Sequence, residues 1–435
     1  MRHSIVLVLA LAACTGKPSP TEPTPDAEAM PKAPEKSLED IGKDVASAMN
    51  PDVSACDDFY EYACGGWMAA NEIPADKPRV GRSFDSIMER NNDLLKGIFE
   101  QAAEDPGEDP NMQKAGAYFA TCMDTEAIDA AGIEPVKPLF DTIDGIASKE
   151  DVWTVSAKLF LLSADPFFSG YVTADDKNPD VMLTVVTQGG LGLPDRDYYT
   201  KTDDDSKALV QKYTDHIATM LTMAGTAEAD AKAQAKAIVA FETTLATKQK
   251  KRTELRDAMA SYNKHTRAEL AAAAPGIPWD AVFTSMGYPD IQAVNLPSPD
   301  YIKALDGIVA GADLDLLKSY MRWRVLDMAA PYLGKEFDDA NFAFFGTELQ
   351  GQQEQRPRWK RCIQRANEVL GEAVGQLYVE QAFAGDSKKI AIEMIEGVHG
   401  AFRQALPELA WMDEPTRAKA LEKAGTVVNK IGYPD

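Results

Sequence analysis

The histidines are the residues of this sequence that could most directly bind a catalytic metal. There are four of them, His3, His216, His265 and His399. A hydrolytic zinc site usually takes three protein ligands and keeps one position open for water. Two imidazoles four residues apart on a helix suit this need because they lie on one face. No histidine here has a second one four residues away, and none precedes a glutamate. We therefore expect no metal ligands and no catalytic residues in this chain.

Other catalytic arrangements are equally hard to find in the sequence. There is no Gly-x-Ser-x-Gly nucleophile elbow. The glycines at 189, 190 and 192 do not open a helix, as a phosphate-binding loop would. Asp195 and Asp197 flank Arg196, and we interpret them as a turn with salt bridges rather than as a general acid and base. His216 lies in a helical pattern, where packing or surface exposure is a simpler interpretation than metal binding.

The charge balance argues against one class of partner. With 45 basic and 68 acidic residues the formal net charge is −23. Binding to nucleic acid needs a basic face, so we expect no nucleic-acid partner. The acidic surface favours solubility and does not identify a substrate. Beyond about the first 40 residues the chain is long enough for one large domain or two.

The first fourteen residues have the pattern of an export signal. A short basic start precedes an apolar run, Ile5 to Ala13, that is too short to span a bilayer. The run ends in Leu11-Ala12-Ala13-Cys14, which looks like the lipobox of bacterial lipoproteins. We expect residues 1–14 to be a lipoprotein signal peptide and the Cys14 sulfur to carry the lipid. A plain secretory signal with an incidental cysteine is the alternative.

Residues 15–36 are rich in Pro, Thr, Ala and Lys and have almost no large apolar side chains. Such a segment cannot bury enough surface to fold, so we expect a disordered tether. The resulting expectation is a lipid-anchored protein of the cell envelope. Thr15, in place of aspartate after the cysteine, favours the outer membrane, with the protein facing the periplasm or the cell surface.

The remainder of the sequence predicts a mainly α protein with one small β element. Apolar spacing and capping residues predict helices over residues 38–49, 57–64, 83–102, 113–124, 135–146, 149–163, 206–224, 227–250, 299–307, 313–330, 358–383, 387–405 and 414–424. The pair Gly65-Gly66 is expected to end the second helix. Alternating β-branched and aromatic residues predict a hairpin from residues 167–174 and 181–188, with its turn at residues 175–179.

Five separated stretches resemble the zinc metallopeptidase family of neprilysin, endothelin-converting enzyme and bacterial oligopeptidase O. They occur in the family order over about residues 50 to 435. The stretches are Cys56-Asp57-Asp58-Phe59-Tyr60-Glu61-Tyr62-Ala63-Cys64-Gly65-Gly66-Trp67; Tyr118 to Asp124; Gln188-Gly189-Gly190-Leu191-Gly192-Leu193-Pro194-Asp195-Arg196-Asp197-Tyr198-Tyr199; Arg361-Cys362 followed by Leu377-Tyr378-Val379-Glu380; and Lys430-Ile431-Gly432-Tyr433-Pro434.

The resemblance implies that this chain is the N-terminal, substrate-enclosing region of such a peptidase. In the family a large helical cap domain covers a catalytic domain that carries the HExxH and ExxxD zinc-binding helices. By this resemblance residues 37–103 should pack on the catalytic domain, and residues 104–435 should form the cap. We expect the catalytic zinc domain to be absent from this chain, with zinc present only in the complete enzyme.

Four cysteines remain if Cys14 carries a lipid. Cys56 and Cys64 flank a predicted helix, which would hold their Cα atoms about 12 Å apart. A disulfide tolerates about 7 Å, so we do not expect these two to pair. The resemblance implies a disulfide between Cys122 and Cys362, and partners for Cys56 and Cys64 in the catalytic half. As alternatives, Cys56 and Cys64 stay reduced or pair non-natively.

One substrate contact is also implied by the resemblance. The family places a substrate-binding arginine on an early loop, where its guanidinium can pair with a peptide carboxylate. Arg79 occupies that context, in front of Phe84. The spacing to Phe84 is one residue longer than in neprilysin, which makes Arg82 a rival. A solvated loop cation is the simpler interpretation of Arg79.

Two functions are consistent with these observations. In the first, the chain is the peptide-enclosing part of a lipid-anchored zinc metalloendopeptidase, inactive alone, with the catalytic half and peptide substrates as its partners. In the second, it is a stand-alone lipoprotein that binds peptides or a partner. The second is physically weaker because the surface meant for the catalytic domain would stay exposed.

Overall fold

The structure is a computed structural model, and it describes residues 37–82 and 84–434, with only the backbone of Ser86. The predicted signal peptide, the lipidation site Cys14 and the tether lie outside these residues. Within them the chain forms nineteen α-helices and four β-strands. The helices are α1 Leu38–Ala48, α2 Phe59–Ala70, α3 Asp85–Glu104, α4 Pro110–Met123, α5 Thr125–Ala131, α6 Lys137–Asp144, α7 Lys149–Phe160, α8 Asp197–Thr200, α9 Asp204–Met223, α10 Glu228–Lys248, α11 Ala258–Ser261, α12 Arg267–Ala273, α13 Trp279–Ser285, α14 Pro299–Gly311, α15 Leu314–Ala329, α16 Lys335–Asn341, α17 Arg358–Ala382, α18 Ser387–Ala405 and α19 Glu414–Thr426.

The strands form one small mixed sheet. They are β1 Phe168–Asp175, β2 Asn178–Gln188, β3 Lys264–Thr266 and β4 Ala293–Asn295, in the order β1-β2-β4-β3. The first two form the predicted antiparallel hairpin, whereas β4 pairs parallel with β2 and antiparallel with β3. The mainly α architecture with a small β element is thus confirmed. The sequence did not predict β3 and β4, because three residues are too few to show a strand period.

The chain divides into two compact units, with the boundary between Glu72 and Ile73. The described part of the first unit contains α1 and α2. Ser37 and Asp40 form a capping box at the start of α1, and Asp58 caps α2 by accepting a hydrogen bond from the backbone N–H of Glu61. The predicted boundary at residue 103 is a different division, and the expected packing of residues 37–103 on a catalytic domain stays a prediction.

The expected helix stop at Gly65-Gly66 is wrong, because α2 continues through both glycines to Ala70. A Cβ atom on Gly66 would lie 2.4 Å from the carbonyl oxygen of Met49, at the end of α1. The glycine is therefore needed for the close approach of the two segments rather than for a helix end. Sequence alone does not distinguish these two uses of glycine, because the neighbouring backbone is not visible in a local pattern.

The second unit has two hydrophobic clusters. The larger fills the space between the sheet and the helices from α6 to α16. The smaller lies among α3, α4 and α17, where Phe99, Phe119, Ile363 and Leu377 are buried together. Between α16 and α17, the segment Phe342–Glu348 is a π-helix, a rare form that is often found beside functional sites. Among the helices that the structure describes, none has the length and apolar character needed to span a bilayer.

Candidate functional site

A large cavity of the second unit lies between α4, the π-helical segment and the first turns of α17. Its volume is about 960 Å³, near the upper end of the range for ligand pockets. Its lining residues are Pro78, Lys114, Ala117, Tyr118, Thr121, Cys122, Ile128, Pro331, Tyr332, Asp338, Asn341, Phe342, Phe345, Gly346, Gln350, Gln352, Gln355, Arg356, Arg358, Arg361, Cys362, Gln364, Arg365 and Leu370.

The charge of this lining is opposite to that of the whole chain. Five lining residues are basic, namely Lys114, Arg356, Arg358, Arg361 and Arg365, and one is acidic, Asp338. The protein as a whole has a formal net charge of −23. Three of the arginines, at positions 358, 361 and 365, follow a spacing of three and four residues and so share one face of α17.

Two of the basic side chains have acidic partners. The Nη1 group of Arg361 donates to both carboxylate oxygens of Asp338, at 2.8 and 3.0 Å, which makes a charge-assisted ion pair. Asp338 also accepts a hydrogen bond from the Gln355 amide. Arg365 donates to Glu368 at 2.8 Å and lies over the ring of Tyr332. The one acidic residue of the lining is therefore already engaged.

The other three basic side chains of the lining form no ion pair with an acidic residue in the described part of the chain. Arg356 donates to the side-chain oxygen of Gln364, and Arg358 donates to the backbone carbonyl of Cys122. Burial, and then the neighbouring charge of Arg361, lower the pKa of Arg358, although Asp338 and Asp129 act in the opposite direction. The cavity consequently holds more positive charge than its own acidic residues balance.

Aromatic and amide side chains also line the cavity. Tyr118, Tyr332, Phe342 and Phe345 contribute rings. Burial raises the pKa of the Tyr118 hydroxyl, so this side chain is a neutral hydrogen-bonding group at ordinary pH. Asn341, Gln350, Gln352, Gln355 and Gln364 contribute amides. Such a surface suits a ligand with both apolar groups and negative charge.

A disulfide fixes one side of the cavity. Cys122, near the end of α4, is bonded to Cys362, in the first turns of α17, across 240 residues of sequence. This is the pair that the family resemblance implies. Both residues line the cavity, and Cys362 is fully buried. The bond therefore joins two of the elements that carry the basic side chains.

The predicted substrate contact, Arg79, lies at the edge of this cavity, directly after the lining residue Pro78. Its side chain is exposed, as is that of the rival Arg82. Glu89 of α3 anchors the loop by binding Lys77 at 2.7 Å and Lys360 of α17 at 2.6 Å. These contacts position the loop. A contact between either arginine and a substrate stays a prediction.

The two described cysteines of the first unit, Cys56 and Cys64, form no disulfide in the structure. Cys56 is exposed and precedes the first residue of α2, whereas Cys64 is half-buried within that helix. The distance of about 12 Å expected from the sequence assumed a helix from Cys56 to Cys64. In the structure the helix begins only at Phe59, so it does not extend from one cysteine to the other. Their expected pairing with cysteines of a catalytic half stays a prediction.

Two of the described histidines, His216 and His265, have surroundings that explain them without a metal. His216 is stacked on Phe344, with ring centroids 5.1 Å apart, and is surrounded by Trp323 and Phe345. It is therefore a packed histidine, one of the two interpretations that its helical pattern favoured. His265 lies in β3 with its Nδ1 2.8 Å from the carbonyl oxygen of Asn263. Across residues 37–82 and 84–434 no three His, Cys, Asp or Glu side chains are grouped to hold a metal ion.

Buried tyrosine hydroxyls hold the stretch around Gly189 to Tyr199 in place. The hydroxyl of Tyr301 lies 2.6 Å from the carbonyl oxygen of Phe167 and 2.9 Å from that of Gly189. The hydroxyl of Tyr199 donates to the buried carboxylate of Glu242 at 2.7 Å. Around Arg196 there is a turn with a salt bridge, since Asp195 accepts from the backbone of Asp197 and Arg196 lies 3.6 Å from the Asp197 carboxylate. The interpretation of these acidic residues as a turn is confirmed.

The basic cavity was not predicted from the sequence. The signal that could have indicated it is the spacing of the arginines at 358, 361 and 365, which places three basic side chains on one helix face. The contributions of α4 and the π-helical segment could not be found this way. These elements come together with α17 only through tertiary packing.

Comparisons with known proteins agree with this fold. The N-terminal model of peptidase family M13 matches residues 55–434. Endothelin-converting enzyme 1 of Bos taurus is 33% identical over 405 residues, which are 91% of this chain and 53% of that protein. Neprilysin-3 of Drosophila melanogaster is 30% identical over 413 residues, which are 90% of this chain and 52% of that protein. The chain thus spans about half the length of the curated relatives it matches.

Solved structures have the same architecture. The zinc metalloprotease Zmp1 of Mycobacterium tuberculosis, crystallised with an inhibitor, superposes with a TM-score of 0.80 at 31% identity, covering 87% of this chain and 57% of that one. PepO from Lactobacillus rhamnosis HN001 has the same fold, with a TM-score of 0.72 at 23% identity over 88% of this chain and 60% of that one.

The fold and the matched region define the N-terminal part of a zinc metallopeptidase of the neprilysin type. The chain belongs to peptidase family M13. The resemblance seen in the sequence is therefore confirmed. The zinc of this family has no site among the described residues.

Proposed function

We propose that this chain is the substrate-enclosing part of a lipid-anchored zinc metalloendopeptidase that acts on peptides, and that it is inactive without a zinc-binding half. The observation that carries this proposal is the family match over residues 55–434, combined with the coverage of about half of each relative. The sequence has no HExxH motif, so the zinc ligands have to come from elsewhere in the same polypeptide or from a second chain.

An exposed apolar face supports a zinc-binding half as the partner. On α18, Ile390, Met394, Val398 and Phe402 recur every four residues and therefore lie along one side of the helix. Each of them is 54–63% exposed, and no residue of α18 is buried. A continuous exposed apolar stripe is typical of a surface that another protein part covers.

The two unpaired cysteines support the same partner. Cys56 and Cys64 have no disulfide partner among the described residues, whereas Cys122 and Cys362 are already bonded to each other. In an oxidising compartment an exposed thiol such as Cys56 would be oxidised unless it is paired. We therefore propose that both pair with cysteines of the zinc-binding half.

For Arg79 we propose a contact with the carboxylate of a bound peptide. Its exposure, and the anchoring of the loop by Glu89, make the guanidinium accessible at the edge of the basic cavity.

The proposed location is the bacterial cell envelope, through a lipid on Cys14. The support for this location is the lipobox-like sequence alone.

The test compares the chain alone with the protein extracted from its native membrane. Hydrolysis of an internally quenched peptide is measured with added zinc and after chelation by 1,10-phenanthroline, and the intact mass of each sample is recorded. We expect no hydrolysis by this chain alone, chelator-sensitive hydrolysis by the native material, and a mass that includes the lipid.

Two outcomes would overturn the proposal. Zinc-dependent hydrolysis by this chain alone would show that it is not inactive by itself. Native material that contains only this chain and binds peptides without cleaving them would show a binding lipoprotein instead. A native mass without the lipid would overturn the anchoring at Cys14 only.

A further inference from the structure

The basic cavity beside the Cys122–Cys362 disulfide is a feature that the proposed function does not explain. A cavity that only encloses peptides needs no particular charge. This one has five basic residues and one acidic residue in its lining, in a protein that is otherwise strongly acidic. We propose that it binds an acidic stretch of peptide, with carboxylates held by Arg356, Arg358 and Lys114 and apolar side chains held against the aromatic rings.

The first argument is the number of hydrogen-bond donors on the basic side chains that have no acceptor within the described chain. Arg361 is engaged by Asp338, and Arg365 by Glu368. For Arg358 only the Nε–H has a partner within the described chain, the carbonyl of Cys122, which leaves its four terminal N–H groups. A planar guanidinium with free terminal donors matches a carboxylate in two parallel hydrogen bonds.

The second argument is the cost of the unbalanced charge. Arg358 is half-buried, and burial together with the charge of Arg361 disfavours its protonated form. Such a cluster is unfavourable unless an anion compensates it. The Coulomb attraction for a carboxylate is also stronger in a recess than on an open surface, because the local dielectric constant is lower.

The third argument favours a peptide over a small inorganic anion. The cavity of about 960 Å³ is far larger than a phosphate or chloride ion needs. Tyr332, Phe342 and Phe345 offer apolar surface, and the amides of Asn341 and Gln350 can pair with a peptide backbone. An acidic peptide with apolar side chains uses all three kinds of surface.

The proposal deepens the proposed function, on which it rests for the identity of the ligand as a peptide. In the complete enzyme, binding at this cavity would favour acidic peptides over neutral ones.

The first experiment measures binding to this chain without any hydrolysis. The probe is a fluorescein-labelled peptide Gly-Glu-Phe-Glu-Glu-Leu-Gly, and the control is the same peptide with glutamine in place of each glutamate. Fluorescence anisotropy is recorded at about 0.05 and 0.3 M salt. We expect the acidic peptide to bind about tenfold more tightly at low salt, and the difference to shrink at high salt because the charges are screened.

Matched variants locate the site. Arg358→Gln and Arg356→Gln should each weaken binding of the acidic peptide about three- to tenfold and leave binding of the glutamine peptide unchanged. Arg252→Gln is the control, because it removes the same charge from an exposed residue outside the cavity. If Arg358→Gln fails to fold, Arg356→Gln and the exposed Lys114→Gln carry the test, with circular dichroism as the check of folding.

Equal binding of the two peptides, or Arg356 and Lys114 variants that bind like the unchanged chain, would overturn the proposal. Phosphate that displaces the peptide at the same ionic strength as effectively as an unlabelled acidic peptide would show a general anion site and would also overturn it. This experiment and the test of the proposed function can fail independently. The chain can prefer the acidic peptide even if no zinc-dependent hydrolysis is found, and zinc-dependent hydrolysis can be found even if the chain does not prefer the acidic peptide.

Discussion

Glu242 and His216 are ionisable side chains buried in the larger hydrophobic cluster, and each makes stability depend on pH. Glu242 is fully buried and accepts hydrogen bonds from the hydroxyls of Tyr199 and Tyr213, at 2.7 and 3.2 Å. Burial raises the pKa of Glu242 to about 7, although Arg324 and the two tyrosines oppose this change. For His216, burial lowers the pKa to about 4. The two side chains therefore make the free energy of unfolding change with pH in opposite directions.

For Glu242 the folded protein binds more protons than the unfolded chain between about pH 4.5 and 7. The free energy of unfolding should therefore fall by about 3 kcal/mol as the pH rises through this window. Glu242→Gln keeps an acceptor for the tyrosine hydroxyls and removes the titration. Chemical unfolding of both proteins at several pH values measures the difference between their free energies of unfolding. This difference should grow towards pH 8. A constant difference from pH 4 to 8 would contradict the raised pKa.

For His216 the folded protein binds fewer protons than the unfolded chain between about pH 6.5 and 4. The free energy of unfolding should fall by about 3 kcal/mol as the pH drops through this window. The Nε2 atom of His216 is buried without a hydrogen-bond partner among the described residues, so His216→Phe should also remove an unpaired polar group. We expect the phenylalanine variant to be the more stable protein at pH 5, with a smaller gain at pH 8. The opposite trend with pH would show that the imidazole is charged in the fold.

At the scale of elements, α3, α4 and α17 form the layer that holds the basic cavity. A Cβ atom on Gly116 of α4 would lie 2.0 Å from the carbonyl oxygen of Ala102 on α3. The two helices therefore touch at a position where only glycine fits. The same layer is joined by the Cys122–Cys362 disulfide, so both a close contact and a covalent bond position its members.

Gly116→Ala should destabilise the protein, although alanine normally favours a helix by up to about 1 kcal/mol over glycine. The added methyl group has to push α3 and α4 apart, and such overpacking costs about 1–3 kcal/mol. Gly97→Ala is the matched control, because Gly97 lies in α3 with nothing within 4 Å of its added Cβ atom. Thermal unfolding should show a lower midpoint for the first variant and an unchanged or higher midpoint for the second. Equal shifts would contradict the close contact.

Loss of the disulfide should destabilise the same layer. The bond closes a loop across 240 residues, for which the chain-entropy model gives about 5 kcal/mol, with measured losses for native disulfides of about 2–5 kcal/mol. We expect Cys122→Ser with Cys362→Ser to lower the midpoint of thermal unfolding, as should a reducing agent. Cys56→Ser is the control and should leave the midpoint unchanged. An unchanged midpoint in the double variant would show that the bond adds no stability.

At the scale of the whole molecule, a strongly acidic surface and the exposed apolar face of α18 have opposite effects on association. The net charge of −23 keeps molecules apart through repulsion. The stripe of Ile390, Met394, Val398 and Phe402 attracts another apolar surface. Because salt screens repulsion and leaves apolar attraction intact, the balance between the two depends on ionic strength.

The chain alone should therefore self-associate, and more so at high salt. Met394→Lys with Phe402→Lys should restore a monomer without lowering the thermal midpoint, since no residue of α18 is buried. Lys389→Gln, at an exposed residue of the same helix outside the stripe, is the control. Sedimentation velocity at about 0.05 and 0.5 M salt measures the effect. If the unchanged chain is a monomer at both salt concentrations, the stripe does not bind to a second copy of the chain.

The long helices were predictable from the sequence because their signals are local. The helical pattern at residues 387–405 coincides with α18, and that at residues 358–383 ends one residue beyond α17. The hairpin was predictable for the same reason, since its strands adjoin one turn. The short strands β3 and β4 and the π-helical segment were not predictable, because their backbone partners are far away in sequence or depend on packing.

By itself the sequence determined the family, the mainly α fold, the cysteine pair implied by that family and the lack of a zinc-binding motif, because each depends on residue identity and order. Only the tertiary structure decided that Gly66 and Gly116 mark close contacts, that Glu242 and His216 are buried, and that Arg356, Arg358 and Lys114 share one cavity. Burial and electrostatic environment depend on which distant segments meet, and no local pattern contains that information.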